Sequence, residues 1–309
     1  MTSPESPIDL LVLSPHLDDA ALSCGGQIHR MARTGGRVVV LTVFAGGPSD
    51  DPCSAVTDRD ASPAAVAFHA LIGLEAGEAG VAAADAAVAA RRAEDRVACE
   101  ILGAEGVRWR RLDAVYRRHP DGPLPSLAAL FDRARPVDEA LVAALAADLR
   151  ALPPLRRLLV PLGVGGHLDH RTVRAAAERA FPPSSLRYYE DLPYARSRRA
   201  RWHALGLSFL GELIERPLGP WRSEPAPWAE IDLEAKIAAV AAYASQVEPL
   251  FGSAERMAHT LDTVAERLAI RFDEPLAEAV WRATGSLDRL DEDSFDRIDA
   301  TSPRGASHR

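Results

Sequence analysis

The sequence predicts an α/β protein, a single domain built on an open, mostly parallel sheet with helices on its faces. Three observations carry that expectation. Residues 9–13 and 37–44 are short, nearly continuous apolar runs, as in strands buried on both faces. A helical stretch separates them, so strand, helix and strand form a βαβ unit with a right-handed crossover. Further apolar runs then alternate with helical stretches, and no repeat or linker interrupts residues 4–285.

Each element follows from its residues. Asp9-Leu10-Leu11-Val12-Leu13 is the first strand, and the polar break Ser14-Pro15-His16-Leu17-Asp18-Asp19 ends it. A helix runs from there to about Arg33, stopped by Gly35-Gly36. Residues 37–44, rich in Val, form the second strand. Residues 46–63 carry Gly, Pro, Ser and Asp and read as a long loop, a length that is usually functional. Residues 64–74 and 81–102 are alanine-rich helices, residues 107–112 a third strand, and residues 137–149 another helix. Residues 157–162 make a fourth strand, broken by Gly163-Val164-Gly165-Gly166-His167-Leu168-Asp169-His170. The next helix places Val173, Ala176, Ala177 and Ala180 on one face. Residues 186–189 form a fifth strand, and residues 231–246 and 254–271 two further helices. The expected organisation is an N-terminal tail over 1–7, one domain over 8–285, and a polar, poorly ordered tail over 286–309.

Composition narrows the partners. Lys and Arg number 36 against 44 Asp and Glu, a formal net charge of −8, which argues against nucleic acid or an anionic membrane. Hydrophobic residues make up 47% of the chain, enough for a sizeable core without staples. The three cysteines Cys24, Cys53 and Cys99 suggest neither a disulfide framework nor a Cys-based zinc site, which suits a reducing compartment. The first apolar run is too short for a signal peptide or a membrane span, so a cytoplasmic location is expected. The sequence leaves the oligomeric state open.

The two polar breaks share a layout: each ends a strand and opens a helix. Such turns lie at the carboxyl ends of a parallel sheet, where ligands bind. One supplies His16, Asp18 and Asp19, and the other His167, Asp169 and His170. Either aspartate next to a helix start would by itself serve as an ordinary cap. Imidazoles and carboxylates from two adjacent strand ends suit Zn²⁺ or another divalent first-row metal. Three protein ligands would leave a position open for water, whose pKa a metal lowers to about 7. A spare carboxylate, Asp18, then serves as the base, and a spare histidine, His167, stabilises an oxyanion or protonates a leaving amine. That set suits amide or ester hydrolysis.

Pro15-His16-Leu17-Asp18-Asp19 resembles the Pro-His-Pro-Asp-Asp signature of the PIG-L/LmbE-like de-N-acetylases, and His167-Leu168-Asp169-His170 resembles their His-x-Asp-His motif. Arg91-Arg92-Ala93-Glu94-Asp95 with Leu102-Gly103-Ala104, and the late Lys236, Tyr243, Ser245 and Gln246, resemble supporting segments, with Tyr243 at the usual His. The resemblance implies a Rossmann-like fold and a zinc-type hydrolase that removes an N-acetyl group from an amino-sugar-containing small molecule or glycoconjugate. It further implies His16, Asp19 and His170 as metal ligands, Asp18 as general base, His167 at the oxyanion and Asp169 as the carboxylate orienting a histidine. Arg92 and Asp113 fall near the family's sugar-contacting Arg and Asp. Two positions depart from the pattern: Leu17 replaces Pro, and Ala20 replaces an acidic residue that would tune the ligands.

Glu190 and Asp191, followed by Tyr194, read as a sugar-binding wall or as a plain strand end. Arg196, Arg198, Arg199 and Arg201 read as a solvated face or an anion contact. Trp202, Trp221 and Trp228 suit packing more than a substrate mouth, and Cys24 reads as a small buried hydrophobe. Two other functions compete with deacetylation: an amidase for a larger acyl group, and a sugar-binding protein without catalysis.

Overall fold

Apolar β-branched runs too short for helices pair here as strands, and the alanine-rich stretches between them cover both sides of the sheet. The computed structural model describes residues 7–51, 54–57, 61–72, 80–194, 221–227 and 230–283. The expectations for both tails, for Arg196–Arg201 as a cluster, and for Trp202 and Trp228 lie outside the described residues.

The elements are β1 (Leu10–Ser14), α1 (Asp19–Arg33), β2 (Val38–Thr42), α2 (Pro63–Leu71), α3 (Val81–Leu102), β3 (Glu105–Arg108), α4 (Glu139–Arg150), β4 (Leu158–Pro161), α5 (Leu168–Ala180), β5 (Leu186–Tyr189), β6 (Trp221–Pro227), α6 (Glu230–Ala241), α7 (Ala244–Phe251), α8 (Ala254–Phe272) and β7 (Ala277–Ala283). The sheet order is β3-β2-β1-β4-β5-β7-β6. β1 to β5 are parallel, and β7 and β6 add an antiparallel edge. This is a single α/β domain with a mostly parallel seven-stranded sheet, as the strand and helix alternation predicts. Among the described residues, no helix is long and apolar enough to cross a membrane.

Strand alternation divides the core. Leu10, Val12, Val38, Val40 and Leu159 face α1, α3, α6 and α8, while Leu11, Leu13, Val39, Leu41, Leu158 and Val160 face α4 and α5. All these side chains are buried, which explains why the strands read as continuous apolar runs.

Three boundaries depart from the sequence reading. The third strand was expected over 107–112 but is Glu105–Arg108; beyond it the chain leaves the ladder, touching Phe44 and Gly46 only through isolated bridges at Arg110 and Leu112. The helix expected over 231–246 is two helices, because the chain turns after Ala241 and resumes at Ala244. β6 and β7 were not anticipated. β6 contains Pro225 and Pro227, which disguise a strand, and it lies at the sheet edge, where proline costs no inner ladder bond.

Candidate metal centre

β1 and β4 are neighbours, so the turns that follow them meet at one end of the sheet. The first turn is closed by its own polar atoms. The Ser14 hydroxyl donates to the His16 carbonyl at 2.7 Å and accepts from the Ala20 N–H at 3.0 Å. Asp19 accepts the His16 N–H at 2.8 Å, which folds its carboxylate back over the histidine. Asp18 occupies the N-cap position of α1 without capping through its side chain, so neither turn aspartate is spent as a simple cap. At the second turn His167 is the cap: its Nδ1 accepts the Asp169 N–H at 3.2 Å. That frees the Asp169 and His170 side chains to face β1.

The three residues matched to metal ligands converge. Asp19 Oδ2 lies 3.2 Å from His16 Nδ1 and 3.3 Å from His170 Nε2. Tetrahedral coordination with bonds of about 2.0–2.2 Å spaces adjacent ligand atoms roughly 3.3–3.6 Å apart, and the two spacings from Asp19 lie close to that range. The outer nitrogens are each held by a carboxylate. His16 Nε2 donates to Asp169 Oδ2 at 3.0 Å, and His170 Nδ1 to Asp191 Oδ1 at 2.6 Å. This is the carboxylate–histidine arrangement that fixes a ligand's tautomer and ring orientation. His170 Nε2 is fully buried and makes no hydrogen bond among the described residues, an orphan that a cation would satisfy. His16, His167 and His170 also bring one nitrogen each within 4.8 Å of one another.

Electrostatics agree with that geometry. Burial opposes a charge on His16, but Asp113, Asp169 and Asp19 outweigh it and hold its pKa well above the usual imidazole range. Burial likewise opposes a charge on His170, yet Asp19 and Asp191 push it up to about 10. Asp19 is held well below the usual carboxylate range, against burial, by His170 and His16. The bare chain therefore places positive charge where a metal would sit. Asp18 behaves oppositely: burial and the neighbouring Asp19 push it up to about 7, with Arg91 pulling back. His167 is held well below its usual value by burial, His16 and His170. It is neutral at neutral pH, and with Nδ1 accepting a backbone N–H, its proton sits on Nε2.

The surrounding contacts refine the sequence reading. Asp113 comes to the site, its Oδ2 3.5 Å from His16 Nε2. Asp169 also accepts the Ala114 N–H and is paired with Arg117. Asp191, read from sequence as a sugar contact, is instead buried as the partner of His170 and accepts the Val164 N–H at 2.9 Å. Glu190 accepts the Trp281 indole N–H at 3.0 Å and lines a small cavity with Ser23, Lys236, Leu261 and Glu278. Arg92 donates to the Ala45 carbonyl and to Asp50, both at 2.6 Å, and so anchors the loop after β2. Arg91, one residue earlier and about 100° around the helix, is the arginine beside Asp18, at 3.8 Å. A signal for it existed: Ala84, Ala87, Val88, Arg91, Asp95, Ala98, Cys99 and Leu102 are the buried stripe of α3. Tyr194 was read only as part of a wall. Its ring meets those of His170 and Phe131 edge-on, at 5.7 and 5.5 Å. A side chain at Gly165 would come within 2.8 Å of it, so glycine there admits the ring.

The PIG-L family, described as GlcNAc-PI de-N-acetylase, matches residues 11–181, more than half of the chain. Among solved structures, the zinc-inhibited form of teicoplanin deacetylase Orf2 is similar at 29% identity and a TM-score of 0.66, over 90% of this chain and 100% of that one. The A40926 pseudoaglycone deacetylase Dbv21 is similar at 32% identity and a TM-score of 0.62, over 90% and 97%. The 2'-N-acetylparomamine deacetylase of Streptomyces fradiae is 31% identical over 195 residues, 62% of this chain; the match spans 59% of that relative's length.

Proposed function

This chain belongs to the PIG-L family, and from that premise we propose that it is a metal-dependent N-deacetylase acting on an N-acetylated amino sugar within a small molecule or glycoconjugate. One observation carries the reading: a single oxygen of Asp19 faces the inner nitrogens of two imidazoles whose outer nitrogens are pinned by buried carboxylates. The relatives' names supply the acyl group and the substrate class.

His16 through Nδ1, Asp19 through Oδ2 and His170 through Nε2 would hold the cation, Zn²⁺ or another divalent first-row ion. When bound, such an ion supplies Lewis acidity and lowers the pKa of water to about 7. Asp18, buried beside these ligands, takes a proton from the attacking water as the C–O bond forms. It returns that proton to the amine nitrogen as the C–N bond breaks, releasing acetate and the free amino sugar. The His167 Nε2–H donates to the developing oxyanion, a role supported by Nδ1 being held as an acceptor of the Asp169 N–H. Asp169 and Asp191 keep His16 and His170 in orientation. Arg91 beside Asp18, and Asp113 beside His16, are the polar groups available for sugar hydroxyls.

Elemental analysis combined with acetate release from a panel of N-acetylated amino sugars tests the reading. The wild type is expected to hold about one divalent ion per chain and to release acetate. Asp18→Ala keeps the ion and loses turnover by a factor on the order of 10²–10⁴. His170→Ala fails to retain the ion. Undiminished acetate release by Asp18→Ala would overturn the role of Asp18. A wild type with no affinity for divalent ions would overturn the metal centre.

A further inference from the structure

The buried pair Lys236–Glu278 lies outside the chemistry described above, and Lys236 is the only lysine in the sequence. From its contacts we infer that this pair is a positioning device that sets the break in α1 and thereby aims the turn carrying Asp18 and Asp19.

The break is at Cys24, whose φ of −139° and ψ of 24° are not helical, inside an otherwise continuous helix. A break frees backbone N–H groups on its C-terminal side, and buried orphans of that kind are costly. Two of them are satisfied by one side chain from the far end of the chain. The Gly26 N–H donates to Glu278 Oε1 at 3.1 Å, and the Gln27 N–H to Glu278 Oε2 at 3.0 Å. Glu278 thus acts as an anionic cap at the start of the second helical segment, where a negative charge is favoured. Its side chain is almost fully buried, so the charge needs a partner, and the Lys236 ammonium donates to Oε1 at 2.6 Å. Lys236 reaches it past Gly25: a Cβ at that position would stand 3.0 Å from Lys236 Cγ. In a chain whose other basic residues are all arginine, a slender stem and a compact ammonium suit this narrow passage better than a planar guanidinium.

The functional consequence lies at the other side of the break. The short segment Asp19–Ser23 begins with the Asp18 and Asp19 turn, and Ser23 accepts the Leu192 N–H at 3.1 Å next to Asp191. Without the break, the first turn of α1 would follow the axis of the longer segment and could not independently set the direction of the two aspartates. The Lys236–Glu278 pair reaches the candidate ligands through this helix, by the two bonds from Glu278 to the Gly26 and Gln27 N–H groups.

The inference rests on the metal-centre reading for its consequence, while its structural part stands alone. The test uses the full chain as wild type, Glu278→Gln, Gly25→Ala and the double variant Lys236→Met/Glu278→Gln. Co²⁺ serves as the probe, read by its visible absorption bands and by chelator competition. In Glu278→Gln the bands are expected to shift and Co²⁺ affinity to fall tenfold or more. kcat is expected to fall similarly, with KM within a factor of two. Gly25→Ala moves each readout in the same direction to a smaller extent, and it decides the matter if Glu278→Gln does not fold. The double variant, which leaves no unpaired charge, recovers folding but not the Co²⁺ bands. Variants that melt earlier yet keep wild-type Co²⁺ bands, affinity and kcat would make the pair merely structural and overturn the inference. If the wild type takes up no Co²⁺, the metal reading fails. Amide hydrogen exchange across residues 18–24 then still decides the positioning claim: faster exchange in Glu278→Gln supports it, and unchanged exchange overturns it.

Discussion

At the scale of single residues, the two adjacent aspartates are driven apart by their surroundings. Asp19 looks at two imidazoles and stays ionised, while Asp18 is buried beside a like charge that Arg91, His16 and His170 do not offset, and its pKa rises to about 7. The sign of the resulting pH dependence follows from linkage. Between the usual aspartate range and pH 7, the folded chain keeps a proton that the unfolded chain has lost. Asp18 therefore costs stability progressively as pH rises through that window. In metal-free protein, Asp18→Asn is expected to gain stability relative to wild type, and to gain more at pH 8 than at pH 5. Urea unfolding at the two pH values checks this, and an equal difference at both would show that Asp18 titrates normally. The residue types of this site were legible from the two turns. The partner of each was not: Asp191 resembled a sugar contact until its 2.6 Å bond to His170 gave it another task.

At the scale of elements, the late segment that resembles the family's supporting motif is explained by what it holds. Lys236 on α6 reaches Glu278 and, through it, α1. Tyr243, at the turn between α6 and α7, donates its hydroxyl to Asp95 on α3 at 2.8 Å. Ser245 donates through both its backbone and its hydroxyl to Glu94 on the same helix, at 2.8 and 2.6 Å. These contacts tie together the two helices that carry Asp18, Asp19 and Arg91, so the motif serves placement. Tyr243→Phe leaves the Asp95 carboxylate, buried within α3, with one donor fewer, though Arg108 remains at 2.6 Å. The expected loss is about 1–3 kcal/mol in urea unfolding. Tyr243→His, which restores the family's usual residue and a ring N–H, is expected to lose less than Phe. The segment was visible in the sequence as a spacing of residue types. Its partners on α3 and β7 were not, because they lie at 148 and 42 residues' separation, and no local pattern encodes such a distance.

At the scale of the whole molecule, the parallel sheet fixes the site by bringing two strand ends side by side, and the core on either face holds the sheet. Leu11, on the α4/α5 side of β1, is almost fully buried and belongs to that core. Leu11→Ala is expected to cost about 2–5 kcal/mol in urea unfolding while leaving affinity for a divalent ion unchanged, because it weakens the support without moving the turns. A large change in metal affinity would mean that the β1 turn is sensitive to packing below it. The sequence by itself determined the parallel half of this protein. Its strands are buried on both faces, so their apolar runs announce them, and each polar break after β1 and β4 stands out against such a run. It determined the residue types of the candidate metal centre for the same reason, since two histidine- and aspartate-bearing turns at adjacent strand ends stand out together where either alone reads as a cap. Only the tertiary structure decided which nitrogen faces which carboxylate, that Arg91 and not Arg92 stands beside Asp18, and that β6 and β7 close the sheet. Those outcomes depend on contacts between distant segments and on the rotation of a helix about its axis, and packing sets both.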